Sequence, residues 1–190
     1  LVRMESPDDY PNYYFRSLSD NSLTKLTSFK NPYEALKSVS KELIAYKRED
    51  GLDLSGTLYL PAGYEKTPTK KLPLLLWAYP REYKDKKSAG QKTVNPNRFT
   101  YPSWGSPIYW VPRGYAVLDR AAFPIVGEGD AEPNDTFRPQ LVANAKAAID
   151  AVDALGYIDR ERVAVGGHSY GAFMVANLLS HSDLFAAGIA

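Results

Sequence analysis

The sequence predicts an α/β fold built on a parallel sheet, and three observations carry that expectation. Leu74-Leu75-Leu76-Trp77-Ala78-Tyr79 is an apolar run without alternation, as in a strand covered on both faces. Leu141, Val142, Ala145, Ala148, Ile149, Val152 and Leu155 fall on one helical stripe, with Lys146, Asp150 and Asp153 outside it. The pentapeptide Gly167-His168-Ser169-Tyr170-Gly171 stands between Arg162–Gly166, a short apolar strand, and Ala172–Ser180, an apolar helix.

The elements follow in order. Tyr13–Leu18 and Leu23–Thr27 flank a Ser-Asp-Asn-Ser turn and read as a hairpin. A lone hairpin is marginal, so this pair is expected to join a sheet whose other strands lie outside the chain. Asn31–Lys37 is a short helical turn or a linker, and a domain boundary is placed near 36–41. Glu42–Arg48 leads through Asp50-Gly51, a favoured turn pair, into a second hairpin. Leu52, Leu54, Leu58 and Leu60 recur at period two, which predicts one buried face, and Pro61-Ala62-Gly63 ends the strand. Residues 80–112 fit no element: they are rich in Pro, Trp and Tyr, and Arg81, Lys84, Lys86 and Lys87 read as a solvated loop tip. Ser106-Pro107 can open a short helix that stops at Gly114. Tyr115–Asp119 and Leu184–Ala190 are further strands. Gly127–Asp135 is an acidic, Gly-rich loop, read as the approach to the long helix, with Asp135 or Thr136 as its N-cap, in preference to a calcium site. Gly156 stops that helix.

A serine on a tight strand-to-helix turn is the nucleophile elbow of an α/β-hydrolase, where the turn lifts Oγ above the sheet. Glycines on both sides are required because strand and helix backbones come close there. Ser169 is therefore the candidate nucleophile. One oxyanion donor is expected from the backbone N–H of Tyr170, the next residue. Tyr79, at the end of the apolar run, can supply a phenolic second donor or can be an aromatic packed at a sheet edge; position alone does not choose.

The nucleophile needs a base, and this fold places an Asp or Glu and then a His after the serine. The chain has two histidines. His168 neighbours the serine, so its ring should point away, packed and hydrogen-bonded. His181 lies about 18 Å along the helix from Ser169 at about 1.5 Å per residue, and suits the helix C-terminus. Asp183 follows His181, in the wrong order, and Asp119 precedes the serine. The triad Asp and His are thus not in this chain, which on its own should not turn over substrate. A start at Leu1 points the same way, to a fragment or processed product.

Composition narrows the partners. A net charge of +1 gives no electrostatic case for nucleic acid or a membrane surface, and no apolar run is long enough to cross a bilayer. The absence of cysteine removes disulfides, thiol catalysis and thiolate metal sites, and fits cytoplasm and periplasm alike. No cofactor and no metal are expected.

Several stretches together resemble the prolyl oligopeptidase family of serine peptidases, most nearly its chloroplast-type glutamyl endopeptidase branch. They are Tyr46–Gly51, Thr57–Tyr64, Leu74–Lys86, Gly127–Asp130 with Glu132–Asp135, and Gly166–Met174. The resemblance implies a β-propeller followed by an α/β-hydrolase domain, with residues 1–36 as last propeller strands plus linker and 37–190 as the N-terminal portion of the catalytic domain. It maps Ser169 onto the family's nucleophile and Tyr79 onto its oxyanion tyrosine, and puts the triad Asp and His after Ala190. It implies a peptide substrate, and the rest of its own polypeptide as a partner. Glutamyl preference calls for a cation in the pocket, with Arg81, Arg98, Arg113, Arg120 and Arg138 as candidates. The elbow alone would equally serve an esterase or lipase, and a non-catalytic binding module is the alternative of another class.

Overall fold

Two β-sheets organise the chain in a computed structural model that describes residues 1–65, 70–90, 95 and 97–190. The first sheet is antiparallel, in the order β1 (Val2–Met4), β2 (Asn12–Arg16), β3 (Leu23–Lys25). The expected hairpin forms as β2 and β3, and Val2–Met4 adds a strand that its short polar context did not announce.

The second sheet has six strands in the order β4 (Ser40–Lys47), β5 (Asp53–Leu60), β7 (Ala116–Val126), β6 (Leu72–Tyr83), β8 (Ile158–Gly166), β9 (Ala187–Ile189). β4 and β5 close around Gly51, which holds φ +83°. β5 meets β7 antiparallel, and β7, β6, β8 and β9 run parallel, so the sheet is mixed.

The unbroken apolar character of β6 now has its cause. Leu74 and Leu76 pack in the cluster that contains Leu141, Ala145, Ile149 and Met174, while Leu75 packs on the opposite face with Tyr59, Ile108 and Val111. That second cover comes from a 3-10 helix, Pro107–Arg113, which ends at Gly114 in the left-handed region, as Ser106-Pro107 and Gly114 suggested. It also corrects the expectation for β5. Leu54, Leu58 and Leu60 are buried, but so are Thr57 and Tyr59, because Ile108 lies over the other face.

β6 and β7 are both longer than their apolar runs. Arg120 takes φ +53° and the register shifts between Leu76 and Ala78, after which pairing continues to Tyr83↔Val126. Residues 80–83, expected to be irregular, are therefore strand. Pro80 is tolerated because β6 at this point has β7 beside it but has run past the last β8 pair, Trp77↔Gly166. Part of the remaining loop, residues 91–94 and 96, lies outside the described residues.

The long helix α1 spans Phe137–Ala154 and buries Leu141, Ala145, Ala148, Ile149 and Val152. It begins one turn before the stripe was read. Thr136 holds the N-cap position without a side-chain cap bond; Glu132 and Asp135 instead form a capping box on the preceding 3-10 turn, Pro133–Thr136. Gly156 ends the helix at φ +81°, with its N–H on the Asp153 carbonyl at 2.8 Å. α2 (Tyr170–His181) packs against α1, β6, β8 and β9. Among the described residues no helix is long and apolar enough to cross a membrane.

Candidate active site

The turn between β8 and α2 is as tight as the sequence requires. Ser169 holds φ +57° and ψ −116°, a strained conformation for a residue with a side chain, and α2 begins at the next residue. A Cβ on Gly167 would stand 2.7 Å from Gly171 Cα, and one on Gly171 would stand 2.8 Å from the Ala78 carbonyl oxygen. Gly166 sits against the Trp77 ring, which leaves no room for a methyl group there. The three glycines let strand, turn and helix pack at backbone contact. Ser169 is left exposed on top.

Sheet register then sets what stands beside it. The last β6–β8 pair is Trp77↔Gly166, so Tyr79, two residues further along β6, comes level with the turn. Its ring is 47% exposed and meets the Tyr170 ring edge-on, centroids 6.1 Å apart. At Tyr79 itself β6 pairs with β7, through Ala122, and has passed its last pair with β8. The Gly171 N–H is taken by the His168 carbonyl, and those of Ala172 and Phe173 by Ser169. The N–H of Tyr170 is the first of the helix, where the helix itself supplies no acceptor. The structure thus brings Ser169, the Tyr170 amide and Tyr79 together at the positive end of a 12-residue helix.

Neither histidine joins them. His168 is exposed, a correction to the packed ring expected, because the elbow turns that residue outward before the helix begins. His181 lies at the far end of α2, its Nδ1–H donating to the Asn177 carbonyl at 2.9 Å. Asp183 is exposed beyond it. The acidic loop 127–135 gathers no group of His, Cys, Asp or Glu fit to hold a metal, among the described residues.

Two residues near the site escaped sequence reasoning. Glu82 accepts a hydrogen bond from the Tyr170 hydroxyl at 2.8 Å. Burial, and then this bond, push the Tyr170 phenol up to about 12, so it stays a donor. Phe137 stacks on the other side of the Tyr170 ring, centroids 5.6 Å apart, and Phe173 stacks with it at 5.9 Å. Glu82 lay in a stretch without periodicity, and no local signal could have found it. Phe137 was legible, since it continues the α1 stripe at i−4 from Leu141.

On its other side Tyr79 lines an open cavity of about 700 Å³. Arg81, Arg98 and Arg120 line it too, as does Lys41, which the sequence reading did not single out. Arg113 donates instead to the Tyr109 carbonyl of its own 3-10 helix, and Arg138 lines a separate recess with Phe137 and Phe173.

Comparison with known proteins agrees with this geometry. The prolyl oligopeptidase family matches residues 140–190. Over 191 aligned residues, 100% of the chain, it is 46% identical to "Probable glutamyl endopeptidase, chloroplastic" of Arabidopsis thaliana. The protein of that name from Oryza sativa subsp. japonica is 45% identical over the same length. The chain spans 20% of the length of these relatives. Among solved structures, the AtxE2 isopeptidase S527A variant with Astexin3-dC4 bound superposes over 98% of this chain and 28% of its own, at a TM-score of 0.64 and 20% identity. That likeness shows a shared fold, the α/β-hydrolase sheet. Elbow and sheet order agree with that match: over residues 140–190 the chain is similar to the prolyl oligopeptidase family.

Proposed function

We propose that this chain carries the nucleophile and oxyanion hole of a serine peptidase that cleaves peptide bonds, with preference for glutamyl residues. The strained Ser169 between Gly167 and Gly171, level with Tyr79, is the observation that carries the reading. Ser169 Oγ attacks the scissile carbonyl, forming an ester to the acyl half of the peptide, and the proton passes to a general base and on to the departing amine. The Tyr170 N–H and the Tyr79 hydroxyl hold the negative oxygen of the tetrahedral intermediate. Water then releases the acyl group by the reverse path.

The base and its orienting acid come from outside residues 1–190 in this reading, since His168 is turned away and His181 is at the distal end of α2. Residues 1–190 alone are then inert toward substrate. Residues 1–36, with their three-stranded sheet, close a β-propeller that restricts access to short, flexible peptides, and 37–190 begin the catalytic domain.

A fluorophosphonate probe on the intact protein tests this. Labelling is expected on Ser169 and should vanish in Ser169→Ala. Labelling that survives the substitution would refute the assignment, and an intact protein that takes no label would leave a binding module as the better reading. Cleavage of an ester together with failure on all peptides would favour an esterase.

A further inference from the structure

Cations from separate parts of the chain meet at the cavity beside Tyr79. Lys41 comes from β4, Arg98 from the segment after β6, and Arg120 from the bulge in β7. With Arg81 they make four cationic side chains on the lining, against Asp119 as the single carboxylate among the lining residues.

Arg98 and Arg120 are each ion-paired, yet the cations around the cavity outnumber the carboxylates beside them, Asp119 and Glu5. Lys41 Nζ donates to the Arg98 carbonyl at 3.0 Å, a neutral acceptor. Arg98 Nε is 3.6 Å from Glu5, a carboxylate that also serves Arg3 at 3.0 Å and the Tyr101 hydroxyl at 3.1 Å. Arg120 Nε is 3.8 Å from Asp119. The half-buried Lys41 ammonium is pushed below its ordinary value, first by burial and then by the charges of Arg120 and Arg98, with Glu5 acting in the opposite sense. Like charges gathered around an open space repel one another, and an anion entering that space relieves the repulsion. Two planar guanidinium groups and an ammonium suit a carboxylate in particular, which they can grip at both oxygens.

We propose that Lys41, Arg98 and Arg120 form the subsite that holds the acidic side chain of a bound peptide, reached from the reacting carbonyl past Tyr79. The proposal rests on the peptidase reading above and chooses among the arginines that sequence left open. Arg113 and Arg138 drop out because their surroundings lie elsewhere.

The test uses the intact protein and pairs of peptides that differ only in Glu or Gln before the scissile bond, amidated at the C-terminus so that the side chain is the carboxylate being read. Lys41→Met, Arg98→Gln and Arg120→Gln should each lower the Glu-to-Gln ratio of kcat/KM about tenfold. Arg113→Gln and Arg138→Gln should leave that ratio where it was. A ratio unmoved by all three cavity substitutions overturns the subsite. Arg98 and Arg120 are exposed, so their variants keep the test open should Lys41→Met fold poorly. Failure of the parent reading is seen separately, as absent fluorophosphonate labelling. In that event fluorescence anisotropy of the same peptides decides: tighter binding of the Glu peptide, lost in Arg98→Gln and Arg120→Gln, supports the subsite, and equal binding of the two peptides overturns it.

Discussion

Ser169 sits at φ +57° and ψ −116°, where its own Cβ opposes the backbone. Such strain is kept only when the surroundings hold it, and here the strand, the helix and two glycines do so. Glycine at that position accepts the conformation freely, so Ser169→Gly is expected to raise stability by about 1 kcal/mol while abolishing labelling. Thermal unfolding of the intact protein checks this, and a lower melting temperature would show that no strain is stored there. Tyr79 makes the complementary prediction. If its hydroxyl holds the developing oxyanion, Tyr79→Phe should lower kcat by about 100-fold and leave KM nearly unchanged, because the bond forms only in the transition state. Steady-state kinetics separates the two, and an unchanged kcat would remove Tyr79 from the site.

At the scale of elements, the site depends on how closely α2 approaches β6. Gly171 faces the Ala78 carbonyl, one residue before Tyr79, so a side chain there pushes the helix away from the strand that carries the phenol. Gly171→Val should cost about 2 kcal/mol or more in denaturant unfolding and slow the labelling of Ser169, both from one displacement. Equal stability of the variant would mean the approach is looser than the contact implies. Elements with a local rule were legible in advance: the two-faced strand β6, the striped helix α1, the glycine stops at Gly51, Gly114 and Gly156. Those broken by an exception were not. The outer half of β7 follows a left-handed Arg120 and contains Pro124, and the outer half of β6 contains Pro80; each reads as a strand end in isolation. Pro139 hid the first turn of α1, although a proline there lacks only an N–H that the helix leaves unused.

Across the whole molecule, Arg48 ties distant parts together. Its guanidinium is 5% exposed and donates to Asp50, to the Pro124 carbonyl at 3.3 Å and to Asn144 at 3.0 Å, joining the β4–β5 turn, the end of β7 and α1. The hydrogen bonds from Arg48 hold the Asp50 carboxyl well below the usual carboxylate range, against the opposing effect of burial. A depressed folded value means that this stabilisation is complete above the unfolded value of about 4 and is lost as pH falls below it toward the folded value. Asp50→Asn should therefore be less stable than the unsubstituted protein by about 1 kcal/mol at neutral pH, with solvent screening allowed for, and the gap should close in acid. Unfolding midpoints measured from pH 7 down to pH 3 test it, and a gap that widened in acid would contradict the pairing. The contrast between local and long-range information explains what could be known when. By itself the sequence determined the strand–serine–helix turn, the class of fold and the distance of His181 from Ser169, because these follow from neighbours along the chain: small residues at fixed spacing, apolar period and helix rise. Tertiary structure alone decided that Tyr79 stands level with Ser169, that Glu82 holds Tyr170, and that Lys41, Arg98 and Arg120 share one cavity. Those are proximities between segments far apart in sequence, set by the register of β6 against β7 and β8, and no local pattern encodes them.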